Sequence, residues 1–137
     1  MKSTATKEYL LRYRTALREA MDTQQRITQL RLQYSAPSAI NYTDMPRAPS
    51  VEHDMSDYIS KYEDLMQTLI SKYSACLGIM ADIIARLDRM EKQDERELLR
   101  YRYIDFLSWR QIADRLGTVE RNVYFIHGRA LRNFPTD

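Results

Sequence analysis

The chain has 137 residues, 29% of them charged, with 21 Lys and Arg against 19 Asp and Glu. That length allows one core of ordinary size, or one small domain plus an extended element. Three glycines, four prolines and no alternating stretch point to an almost wholly helical protein, and a net charge of +2 excludes one that holds nucleic acid by bulk charge alone.

The first expected helix covers residues 5–34, with Leu10, Tyr13, Leu17, Ala20, Ile27 and Tyr34 on a three-four repeat that Gln24 and Arg31 interrupt. Its N-terminal stretch lacks the uninterrupted apolar segment of a signal peptide. Residues 1–34 are basic, with seven Lys and Arg against three acids. A proline-containing linker over residues 35–52 follows, because the residue before each proline is pushed away from the helical region.

The longest periodic segment runs from His53 to Lys92. Ile59, Tyr62, Met66, Leu69, Tyr73, Cys76, Met80, Ile83, Leu87 and Met90 follow alternating steps of three and four, a coiled-coil-like seam that Leu65, Ile70, Leu77 and Ile84 widen. A helix of about 38 residues is roughly 57 Å long. It needs a cover, either the first helix folded back as a hairpin or a second protomer; self-association, with a dimer favoured, is the expectation. Tyr, Met and Cys in the seam give an adaptable core rather than a tight zipper. No apolar run is expected to approach the roughly 18 residues of a membrane span, so no membrane partner is foreseen.

The pattern changes phase near Gln93, and a second domain is expected over 93–137 after a helical part over 1–92. Asp94 is placed to cap a helix that carries Glu95 and Glu97 in its first turn and packs Leu98, Leu99 and Tyr103. Ser108 with Gln111 three residues on forms a capping-box pattern. Trp109, Ile112 and Leu116 repeat helically, with small Ala113 beside them. Gly117 stands where a left-handed backbone costs least. Val123, Ile126, Ala130 and Phe134 then form a second apolar stripe. Two phased stripes around a glycine turn predict a helix-turn-helix within a C-terminal three-helix unit. Between residues 98 and 136 seven arginines face three acids, an excess that supports contact with double-stranded DNA.

Signals for catalysis are nearly nil, and the chain is not expected to be an enzyme. One cysteine, Cys76, suits a reducing bacterial cytoplasm and fits a small buried apolar residue. His53 and His127 with one Cys do not make a metal site, and Gly78, Gly117 and Gly128 are too scattered to cradle phosphates, so neither metal nor cofactor is foreseen. His127 lies between the buried stripe and the exposed face, and a packing or hydrogen-bonding role is expected of it.

The block ERELLRYRYIDFLSWRQIADRLG…NVYFIHGRAL resembles region four of bacterial sigma factors, through RYxxxLSWxxIAxxLG and the V-x-x-x-H-x-R-A-L ending. The whole chain looks like short phage-encoded proteins with that C-terminus, including transcriptional regulators of the ArpU/RinA type, in which a helical half, a proline-containing connector (here Asp44–Met45–Pro46–Arg47) and a long helix come first. The resemblance implies a phage or prophage regulator of transcription in the host cytoplasm, with RNA polymerase as a further partner. Two features depart from the sigma pattern: Thr118 and Val119 stand in reversed order, so that Thr118 would cap one residue early, and Phe125 occupies a position often basic.

With the last helix in the major groove, the outward residues would be Glu120, Arg121, Asn122, Tyr124, Phe125, Gly128 and Arg129. Arg121 suits a guanine, Asn122 an adenine and Glu120 a cytosine amine. Arg110 and Arg129 suit backbone phosphates, as do the amides near Ser108. Two other readings fit the same pattern: a packaging protein resembling a small terminase subunit, which also joins such modules to oligomerising helices, and an adapter whose sigma-like surface binds RNA polymerase.

Overall fold

The computed structural model describes residues 2–35 and 48–136, and the side chains of 48–54 lie outside that description. The described residues form five helices and no strand, an all-α chain: α1 Lys2–Ser35, α2 Ala48–Leu87, α3 Gln93–Tyr103, α4 Trp109–Leu116 and α5 Glu120–Asn133. Most of the expected linker, including Pro37 and Pro46, lies outside the described residues; its last part, from Ala48 and with Pro49, is already helical.

The chain divides into two units, one comprising Met1–Leu17 with Ala75–Asp137 and the other Arg18–Ser74. The expected boundary at 92/93 therefore falls inside the first unit. In that unit α3, α4 and α5 pack on one another. Their core is shared with Leu10 and Tyr13 of α1 and with Cys76, Ile83 and Leu87 of α2. Phe134, 1% exposed, lies 5.8 Å from the Tyr9 ring, and Arg86 of α2 stands over the same ring while donating to the Pro135 carbonyl at 3.3 Å. Burial pushes the Cys76 thiol above its ordinary pKa, in keeping with an inert core position.

In the unit Arg18–Ser74, contacts between α1 and α2 pair Glu19 with Lys72, Gln24 with Tyr73 and Tyr34 with Tyr58, an antiparallel order. The polar interruption expected at Gln24 is resolved by a shift of one residue. Thr23 takes the buried position beside Ala20 and Ile27, and its hydroxyl donates to the Glu19 carbonyl at 3.1 Å. The α2 seam is buried unevenly. Cys76, Ile83 and Leu87 are enclosed; Tyr62, Met66, Leu69, Tyr73 and Met80 are half-buried; Ile59 is 47% exposed. Among the described residues one stretch, Met55–Leu87, has the length and composition of a membrane span, which the sequence reading did not anticipate.

The long helix ends at Leu87 rather than at Lys92. Tight bonds from the amides of Arg89 and Met90 to the carbonyls of Arg86 and Leu87 close its last turn. Met90 is outside the helix yet returns to the core, and its carbonyl accepts from Arg96 at 2.8 Å. The cap of α3 also departs from expectation. Lys92 is the N-cap without a side-chain bond, and Asp94 sits inside the first turn, where its Oδ1 accepts from the Glu95 amide at 2.8 Å.

The start of α4 follows the sequence closely. Ser108 Oγ accepts from the Gln111 amide at 3.1 Å and Gln111 Oε1 accepts from the Ser108 amide at 2.9 Å, a complete capping box. At its other end Gly117 has φ +69°, and the Thr118 amide reaches the Ala113 carbonyl at 2.9 Å, a Schellman closure. A Cβ on Gly117 would meet nothing within 4 Å, so only backbone strain opposes substitution. Gly117→Ala is therefore expected to cost about 1–2 kcal/mol, read as a lower urea midpoint with an unchanged slope. No loss of stability would contradict the left-handed turn.

Candidate nucleic-acid interface

The residues of α5 sort cleanly by burial. Val123, Ile126, Ala130 and Leu131 face the core, whereas Glu120, Arg121, Asn122, Tyr124 and Phe125 are exposed, Phe125 by 65%. The helix thus buries one stripe and leaves its N-terminal outer face open, because the apolar positions recur at three and four and the rest fall opposite. Arg110 on α4 is also exposed. Neither Arg110 nor Arg121 forms an ion pair among the described residues.

Two expected members of the site are engaged differently. Thr118 does not cap α5; Val119 is the N-cap, without a side-chain bond. The Thr118 hydroxyl instead accepts from Asn122 Nδ2 at 3.0 Å, which steadies Asn122 at the start of the helix. Arg129, expected on a phosphate, is held inside the unit. Its Nε donates to Glu95 Oε2 at 2.5 Å and a terminal nitrogen to Asp94 Oδ2 at 2.8 Å. Glu95 is 1% exposed and also accepts from Asn133 Nδ2 at 3.0 Å. The carboxylate partners hold the Arg129 pKa above its ordinary value, so the charge is permanent and spent internally. The fork that would grip a phosphate is used to neutralise a buried carboxylate.

Behind the open face lies an aromatic cluster. Trp109 is half-buried, its ring 5.3 Å from Tyr124 and 4.8 Å from His127, with the Arg102 guanidinium 4.0 Å above it. His127 Nε2 and the Tyr103 hydroxyl are 2.8 Å apart. Burial, with Lys7 and Arg102 nearby, lowers the His127 pKa to about 4, and burial pushes Tyr103 up to about 12. Both rings are therefore neutral near pH 7, and a single hydrogen bond joins the phenol oxygen to His127 Nε2. His127 thus serves packing and a hydrogen bond.

A pH dependence follows from this shift. The folded state disfavours the proton that an unfolded His takes up near pH 6.5. Stability is then full above about pH 6.5 and is lost as pH falls towards 4, by about 2 kcal/mol once screening of a partly exposed ring is allowed for. His127→Gln should flatten the fall in urea midpoint between pH 7 and 5. Identical slopes in the two proteins would remove His127 as its cause.

Lys7, Arg14 and Arg102 stand near Trp109 and were not anticipated. Lys7, Leu11 and Arg14 do recur at steps of four and three along α1, but only tertiary packing brings that face to Arg102. Among the described residues no group of three or more His, Cys, Asp or Glu is placed to hold a metal ion. No family model, curated protein or solved structure matches the chain.

Proposed function

We propose that this chain binds double-stranded DNA through α4 and α5, used as a helix-turn-helix, and regulates transcription as a phage-type protein with a sigma region-four-like end. The observation that carries the reading is the outward face of α5, where Glu120, Arg121, Asn122, Tyr124 and Phe125 are exposed around a buried stripe. Polar side chains at the N-terminal end of such a helix meet base edges in the major groove. Arg121 reads a guanine through two parallel hydrogen bonds, while Asn122 and Glu120 select adenine and cytosine. Arg110 and the first amides of α4 fix the register on phosphates. The phage and transcriptional parts of the reading rest on the resemblance of the C-terminal motif.

Self-association belongs to the same proposal. Ile59, Ile70 and Leu77 remain exposed along α2, as a seam awaiting a second copy would leave them. A dimer would read half-sites one turn apart, about 34–36 Å, or a multiple of that. The test is selection of bound fragments from sheared phage and host DNA at about 150 mM salt. Enrichment upstream of an operon supports a regulator, whereas enrichment at a packaging locus together with a ring in solution supports a small-terminase-like role.

Arg121→Ala is expected to cost about 1–3 kcal/mol on the selected site and to relax preference at one base, with thermal stability unchanged. Equal losses on selected and random duplexes would refute base reading. One observation favours a second reading: Val119 and Phe125 are 66% and 65% exposed, more apolar surface than base contacts require. An adapter that docks RNA polymerase would use them, and capture of polymerase that Phe125→Ser abolishes would establish it.

A further inference from the structure

A cleft of about 370 Å³ opens in the unit that contains α4 and α5. Lys7 and Arg14 enter it from α1, Arg102 from the end of α3, and Ser108 and Trp109 from the start of α4. Its lining includes these three cations and no carboxylate. None of the three forms an ion pair among the described residues. Like charges gathered around one cavity repel, and a bound anion is what relieves them.

The cations are positioned rather than splayed. Arg102 donates to the Leu107 carbonyl at 3.1 Å while its guanidinium lies on Trp109. Arg14 stands 5.9 Å over the Phe106 ring. Phe106 has φ +58°, a strained conformation for a bulky side chain, and stacks on Tyr13 at 5.7 Å. The strained residue thus makes an aromatic shelf beneath Arg14. Trp109, which lines the cleft, is also the first residue of α4, so its amide has no helical carbonyl available to it. Burial lowers the pKa of neighbouring His127, and the charges of Lys7 and Arg102 add to that shift.

We propose that this cleft binds a phosphate group between Lys7, Arg14 and Arg102. The group comes from the DNA backbone or from a phosphorylated small molecule. Only the first source rests on the DNA-binding reading.

Trp109 is the chain's single tryptophan and lines the cleft, so its emission reports occupancy directly. The full chain is titrated with inorganic phosphate, with adenosine monophosphate and with adenosine, at ionic strength matched by chloride. The expected result is a saturable change with the two phosphates and none with adenosine, weakened about tenfold or more in Lys7→Gln/Arg14→Gln. Both substituted residues are exposed, so the variant is expected to melt as the parent does.

The variant is then bound to a duplex across a salt series. A salt slope lowered by about one assigns the cleft to a backbone phosphate. An unchanged slope with lost nucleotide binding assigns it to a free ligand. Saturable phosphate binding by a parent protein that binds no duplex would leave the cleft standing and remove the DNA-binding reading. No saturable signal with either phosphate, together with an unchanged slope, would overturn the proposal.

Discussion

A fragment that begins at Gln93 is expected to lose its cooperative melt, although it contains all of α3, α4 and α5. The core under these helices is completed by Leu10 and Tyr13 of α1 and by Ile83, Leu87 and Met90. Without them the core that Leu98, Leu99, Tyr103 and Phe134 share, all buried in the full chain, is opened to water. Each large apolar side chain returned to water costs about 1.5–3 kcal/mol, and several together match the whole net stability of a small domain. Circular dichroism should show reduced helicity and a broad, non-sigmoidal melt, with binding of a hydrophobic dye. A sharp melt at native helicity would mean that residues 93–137 stand alone, as the sequence reading supposed. Phe134→Ala in the full chain tests the same packing at one point.

Arg129→Met is expected to destabilise the protein by about 3 kcal/mol. The substitution keeps the volume and removes the charge, which leaves Glu95, 1% exposed, with only Asn133 and no cation. Restoring neutrality with a second change, Glu95→Gln, should recover much of the loss, since an amide there still accepts from Asn133. The urea midpoint of the single and double variants decides it. A midpoint unchanged by Arg129→Met, with weaker duplex binding, would give Arg129 back its expected role on a phosphate.

How far the sequence could be read depended on distance along the chain. The Ser108–Gln111 box and the Gly117 turn involve residues within a few positions of each other, and both are present as expected. The stripe of α5 was equally legible, because burial of one face needs only periodicity. The pairing of Arg129 is invisible in the sequence because its carboxylate partners lie 34 and 35 residues earlier. On the helix surface a cation that pairs at such range looks the same as one left open. Acids favour a helix start, which makes Asp94 look like a cap, yet the cap lies two residues sooner, at Lys92, and the helix begins at Gln93. Periodicity along α2 marked the apolar face correctly but said nothing of what covers it, so Ile59 and Ile83 looked alike while one is exposed and the other enclosed. Lys7 and Arg14 gave no signal at all without the fold that brings them to Arg102.

The packing of Tyr9 against Phe134 has a consequence for the timing of synthesis. Ribosomes add about 5–20 residues per second, so Tyr9 waits several seconds for its partner to be made. During that interval α2 is the native cover that α1 has, and holding chaperones or a neighbouring nascent chain have access to what α3–α5 later enclose. Closing contacts this far apart also slows folding relative to a bundle built from sequential neighbours. An mRNA truncated anywhere before Phe134 would yield a product without a finished core.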